Sequence, residues 1–207
     1  MPLKELSTLE ARVLGVLAEK QRTVPDSYPL TLNSLVAGCN QKSSRNPVLN
    51  ASESEVTDAL DNLRGMSLIV ETSGGRAMRY AHNLEKVLQI PTQATAILAM
   101  TMLRGPQTPG ELRINCERLH RFADISSVES FLEELAGKGL MVELPRQPGS
   151  RENRWMHLLS GTPEKAVAAA EESGTLEERV ASLEREVAEL RELVLGLIEA
   201  NRPSAED

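Results

Sequence analysis

The chain says the same thing twice. Val56, Leu60, Leu63, Gly65, Leu68, Val70 and Glu71 return at an offset of 72 as Val128, Leu132, Leu135, Gly137, Leu140, Val142 and Glu143. Arg79-Tyr80-Ala81-His82-Asn83-Leu84 returns at an offset of 75 as Arg154-Trp155-Met156-His157-Leu158-Leu159, and Thr31, Leu35 and Cys39 return at 77 as Thr108, Leu112 and Cys116. An apolar pattern that persists while its offset drifts marks a duplicated domain with altered loops. The period is too long for a solenoid. The 207 residues therefore divide into module one at 1–90, module two at 91–160 and a tail at 161–207. Modules of roughly 70 to 90 residues are small but able to hold a core. Aromatic residues make up 2% of the chain, so those cores must be built from Leu, Val, Ile, Ala and Met, which favours helices over a large sheet.

Local signals assign the same order of elements to both copies. In the first, Leu6 to Leu17 fit a helix with Ser7 as N-cap and Glu10 completing a capping box, and Pro25 and Pro29 end that segment. Leu30, Leu32, Leu35, Val36 and Cys39 suggest a second helix, a polar loop follows, and a third helix opens near Ser52 with Glu55 three residues on. Leu68-Ile69-Val70, the turn Thr72-Ser73-Gly74-Gly75 and Met78 to His82 read as a hairpin. In the second copy, Gln93 to Leu103 and Thr108 to Leu119 read as helices, with Thr108 as N-cap and Pro109 at the first helical position. A third helix covers Ser126 to Ala136, and Leu140–Leu144 with Asn153–Leu158 form a second hairpin. Three helices followed by a hairpin is the winged-helix arrangement. The expected fold is mainly α with small β-hairpin wings (α+β): two tandem winged-helix domains plus a C-terminal coiled-coil-like helix.

In the tail, Leu176, Val180, Leu183, Val187, Leu190, Val194 and Leu197 alternate spacings of four and three. Val at a with Leu at d favours two parallel strands. Arg179 at g would face Glu184 at e of a second copy, and Glu186 would face Arg191. The reading is a dimerising heptad helix over 176–198 with a disordered end, its contacts made by Val180, Leu183, Val187, Leu190, Val194 and Leu197. A helix folded back on its own modules, or a higher or antiparallel assembly, are the alternatives.

Net charge is −7, and all of it lies in the tail. Residues 1–90 carry ten Lys/Arg and ten Asp/Glu, residues 91–160 eight of each, and residues 161–207 five against twelve. The modules are neutral and lack the strongly basic footprint of a tight nucleic-acid binder. No apolar run is long enough for a membrane span, and the N-terminal residues lack a secretory signal, so a cytoplasmic protein is expected. Cys39 and Cys116 fall in apolar helical stripes at equivalent positions and read as buried thiols.

Two stretches carry a family resemblance: Leu30 through Val48, which includes Cys39-Asn40-Gln41-Lys42-Ser43-Ser44-Arg45-Asn46-Pro47, and Leu103-Arg104-Gly105-Pro106-Gln107-Thr108-Pro109-Gly110-Glu111-Leu112-Arg113. The match extends through Glu117 to His120 and Phe122-Ala123-Asp124. In these the chain resembles the YceH-like bacterial proteins, an uncharacterised family of UPF0502 type, over roughly residues 6 to 160. Asn46 departs from the Asp expected before the proline, which removes a carboxylate from that loop. The resemblance implies a tandem winged-helix fold in a cytosolic bacterial protein and no established activity.

Two binding readings are kept open. In the first, a DNA-associated, transcription-regulator-like protein, wing arginines Arg76, Arg79, Arg146, Arg151 and Arg154 contact phosphates without reading bases. Further cations stand at Lys42, Arg45, Arg113, Arg118 and Arg121. The third helices are poor readers: the first carries Glu53, Glu55, Asp58 and Asp61 before any base, the second carries Asp124, Glu129, Glu133 and Glu134, and carboxylates are repelled by phosphates. In the second reading, the protein is an interaction scaffold without DNA binding, and the polar loop of Asn40, Gln41, Lys42, Ser43, Ser44, Arg45 and Asn46 offers donors to a protein partner. A structural loop capping its neighbouring helices is the plainer account of that segment. No catalytic, metal-binding or cofactor-binding constellation is found. His82 and His157 occupy one repeat position and read as wing-base packing.

Overall fold

A computed structural model describes residues 4–73, 75, 77–146 and 152–161. Helix α1 spans Thr8–Thr23, and its capping box is the expected one: Glu10 N donates to Ser7 Oγ (3.1 Å) and Ser7 N donates to Glu10 Oε2 (2.7 Å). After a 3-10 turn at Pro25–Ser27 come β1 (Leu30–Thr31) and α2 (Leu32–Cys39). The helix expected from Leu30 thus begins two residues later. Leu30 and Thr31 are instead in strand register with Tyr80 and Arg79, an edge pairing no helical spacing can reveal. Helix α3 (Glu53–Gly65) carries the Ser52/Glu55 box, and β2 (Ile69–Ser73) pairs antiparallel with β3 (Met78–His82). The resulting sheet has the order β1-β3-β2.

A five-residue helix α4 (Leu84–Leu88), unassigned by the sequence reading, buries Leu84 and leads through left-handed Gln89 into the second copy. There α5 (Thr92–Arg104), α6 (Pro109–Asn115) and α7 (Ile125–Gly137) precede β4 (Met141–Glu143) and β5 (Trp155–His157). Helix α6 stops four residues short of the expected Leu119, where turns replace it. The duplication reaches fine detail. The β1–β3 pairing of Leu30 with Tyr80 returns as a single antiparallel bridge between Gln107 and Trp155.

The described part of the chain is α+β, with small antiparallel sheets at the edge of a helical core. The two copies share that core. Residues 10–18 of α1 and 94–103 of α5 are buried without interruption, as happens when a helix is covered on every face. Each packs on its own module and on the other: a Cβ added at Gly15 would lie 2.9 Å from Leu103 Cγ, so α1 and α5 approach at a distance only glycine allows. The beginning and end of this unit are also tied, because Leu6 N donates to Leu159 O (2.8 Å). Cys39 and Cys116 are buried free thiols, both pushed up to about 12 by burial. Among the described residues no helix is long and apolar enough to cross a membrane. Arg76, Arg151 and the 176–198 heptads lie outside the described residues.

Candidate nucleic-acid interface

The hairpin arginines that can be placed do different things. Arg79 on β3 donates to Pro29 O (2.7 Å) and Ser27 O (3.3 Å), pinning the connection between α1 and α2. Arg154, its repeat equivalent, donates to Pro106 O (2.7 Å), the repeat equivalent of Pro29, and forms an ion pair with Glu111 (3.0 Å). One side chain thus performs one structural task in both copies. Arg146 is exposed in the β4–β5 connection and has no hydrogen bond or ion pair among the described residues.

The polar loop holds the modules together. Asn40 closes it by exchanging two 2.8 Å hydrogen bonds with the backbone of Ala51. Arg45 is buried: its Nε donates to Gly38 O (3.2 Å), and its terminal nitrogens reach Glu19 (2.6 and 3.3 Å), Ser44 O and the Gln41 side chain. Burial pushes the Glu19 carboxyl up, but the hydrogen bonds and charge of Arg45 outweigh it and hold the group below its usual range. Asn46 N donates to Leu103 O (2.8 Å), and Arg104 donates to Ser44 Oγ (2.9 Å). Carbonyls and side chains at the end of α5 would otherwise need other partners. Gly105, at φ 76°, sits with Asn46 Nδ2 3.4 Å from where a Cβ would be. Lys42 and Ser43 remain exposed.

Arg12 is a residue that periodicity conceals. It stands in the apolar stripe of α1 at 1% exposure and donates to Cys39 O (3.1 Å) and Pro47 O (2.6 Å), bracing both ends of the loop. Burial, and secondarily Arg45, pull its pKa below the ordinary value. Gln107 is equally hidden. Buried, it donates to Met100 O (3.0 Å) and accepts from Asn115 Nδ2 (2.6 Å). The only sequence clue to either is a polar residue at a core position.

The surfaces of the third helices differ. On α3, Glu53, Glu55, Asp58 and Asp61 are exposed, and Arg64 is neutralised by Asp61 (2.7 Å) and Glu71 (3.2 Å). The second copy carries Ile125, Ser127, Ser130 and Glu133 at the equivalent positions of α7. His82 and His157 are the last residues of β3 and β5: His82 Nδ1 accepts from Leu84 N (3.4 Å), Nε2 bonds Gln21 Oε1 (2.8 Å), and burial pulls His82 below its ordinary value and His157 down to about 4. Among the described residues no three His, Cys, Asp or Glu side chains gather as a metal-ligand set.

Residues 6–150 match the family described as a protein of unknown function, DUF480. A UPF0502 protein of Dechloromonas aromatica is 62% identical over 202 residues, covering 92% of this chain and 95% of that one. The chain belongs to the UPF0502 family. Similar relatives include UPF0502 proteins of Burkholderia orbicola, 60% identical over 83% of this chain and 74% of that one, and of Methylibium petroleiphilum, 63% identical over 81% and 72%. The two stretches that carry the UPF0502 resemblance, 30–48 and 103–113, are the ones that meet in the fold. Their contact is the Asn46–Leu103 and Ser44–Arg104 clasp.

Proposed function

We propose that this is a non-enzymatic cytoplasmic protein with a tandem winged-helix fold that associates with duplex DNA in the manner of a transcription regulator. The observation that carries the reading is the order helix, helix, helix, hairpin, present twice, with β1 of the first copy mirrored in the second by the single bridge of Gln107 with Trp155. In winged-helix proteins that order serves to lay the third helix in the major groove and the hairpin on the backbone. The support is a likeness of architecture, which many functions share. Pairing of two copies through the 176–198 heptads would present four modules, so weak single contacts would add by multivalency. The test is binding of the full chain to random fluorescent duplex DNA across a salt series. Micromolar binding that weakens steeply with salt is expected, because phosphate contacts release counterions; no binding at low salt sinks the reading.

A second reading, a protein-interaction scaffold, is favoured by the acidic face of α3 and by the internal engagement of Arg79 and Arg154, which leaves those wings fewer free cations. It predicts no duplex binding at any salt.

A further inference from the structure

Building on the duplex-binding reading, we infer that the two modules have divided the work: the α6–α7 face of the second module contacts DNA, and the α2–α3 face of the first does not. The duplication supplies an internal comparison. At equivalent positions the exposed Glu53 and Asp58 of α3 become the exposed Ile125 and Ser130 of α7, and Glu55 becomes Ser127. These three carboxylates give way to one apolar side chain and two hydroxyls, while Ser52, Thr57 and Asn62 become Asp124, Glu129 and Glu134, so the two segments carry four carboxylates each at different positions.

The exposed cations are what differ in number. In the first module, Arg45 is buried against Glu19 and Lys42 is the exposed cation of the α2–α3 loop. In the second, Arg118 and Arg121 are exposed on the α6–α7 turn and make no hydrogen bond or ion pair among the described residues. Arg113 joins them from α6, its guanidinium donating to Ala123 O (3.4 Å) at the end of that turn. The turn is anchored from beneath, where buried Phe122 meets the rings of His120 and Phe131 edge-on at centroid separations of 4.7 and 5.9 Å. Helix α6 abuts the start of α7, since a Cβ at Gly110 would lie 4.0 Å from Ile125 Cδ1.

Ile114, one helical turn beyond Gly110, is 69% exposed, and Ile125 is 45% exposed. An isoleucine left in water between arginines suits a groove in which thymine methyl groups are the apolar contact and phosphates the charged one. Carboxylates are present as well. Asp124 is occupied by Ser127, to whose N (2.8 Å) and Oγ (2.6 Å) it is bound, and those bonds, with Arg113 a smaller influence, hold it below its usual range. Glu117 is exposed on the turn, Glu129 on the second turn of α7, and Glu133 and Glu134 further along that helix.

The test uses the full chain in three variants: Arg113→Ala/Arg118→Ala/Arg121→Ala, the transplant Ile125→Glu/Ser130→Asp, and Lys42→Ala in the first module. Folding is checked by circular dichroism, and all the substituted side chains are exposed. On random duplex DNA, the triple variant is expected to weaken binding at least tenfold and to reduce the salt slope by about 2 to 3, near 0.9 per lost phosphate contact. The transplant is expected to weaken binding by a similar factor, and Lys42→Ala to stay within about twofold. Triple and transplant variants that bind like the parent overturn the assignment while leaving the duplex reading intact. A parent chain that does not bind at low salt removes both.

Discussion

Arg12 shows how much one side chain can hold. Its guanidinium satisfies two backbone carbonyls, Cys39 O and Pro47 O, from inside the core. Replacing it with leucine keeps much of the volume and strands both acceptors. Each buried unsatisfied group costs about 1–3 kcal/mol, so Arg12→Leu should destabilise by roughly 2–5 kcal/mol in urea unfolding. Arg146→Ala, at an exposed site with no hydrogen bond or ion pair among the described residues, should stay within about 0.5 kcal/mol. The histidines set a pH dependence. Burial lowers both His82 and His157, the latter to about 4, so the fold binds fewer protons than the unfolded chain on acidification. Their contribution is complete above the ordinary value near 6.5 and is lost as pH falls toward 4. The melting temperature is expected to drop across that window, and His157→Gln to flatten the drop; an unchanged profile would mean that other groups govern acid unfolding.

Among the elements, the pairing of α1 with α5 decides the architecture. Two amphipathic helices of separate domains would each show a solvent face, yet both are buried all round. Gly15 marks the closest approach, against Leu103 Cγ and Met102 Cβ. Gly15→Leu should overpack this contact and destabilise by about 1–3 kcal/mol or more in the same unfolding assay. A neutral result would show that the helices can part without loss. The boundaries of α3 and α7 follow from their caps, and caps are local chemistry. Ser52 with Glu55 and Asp124 with Ser127 lie three residues apart. The loop 40–48 belongs to a different order of information. Nothing in its polar sequence distinguishes a docking surface from a clasp, and its partners Leu103 and Arg104 lie about 60 residues away.

For the whole molecule, the fused modules and the heptad segment raise separate questions. The heptad spacing predicts that Leu183→Glu with Leu190→Glu converts a dimer to monomers, read by sedimentation equilibrium. A dimer of unchanged mass would move the interface into residues 4–161. If the duplex reading holds, the monomeric variant should also bind DNA more weakly and with less cooperativity, because effective concentration is lost with the second copy.

By itself, the sequence determined whatever depends on spacing along the chain. The duplication, the capped helices, the hairpins and the buried cysteines all follow from side chains repeating every two, three or four residues, and the family follows from short stretches read in order. Only the tertiary structure decided what the polar residues are for. It buried Arg12 and Arg45 and engaged Arg79 and Arg154 with backbone carbonyls. It joined the two copies through α1 and α5, and it left Arg118 and Arg121 without hydrogen-bond or ion-pair partners among the described residues. The physical reason is that a guanidinium's role is set by which carbonyl or carboxylate lies within about 3 Å. Those partners come from parts of the chain 26 to 50 residues apart, as for Arg45 with Glu19 and Arg79 with Pro29. No local period encodes such a meeting.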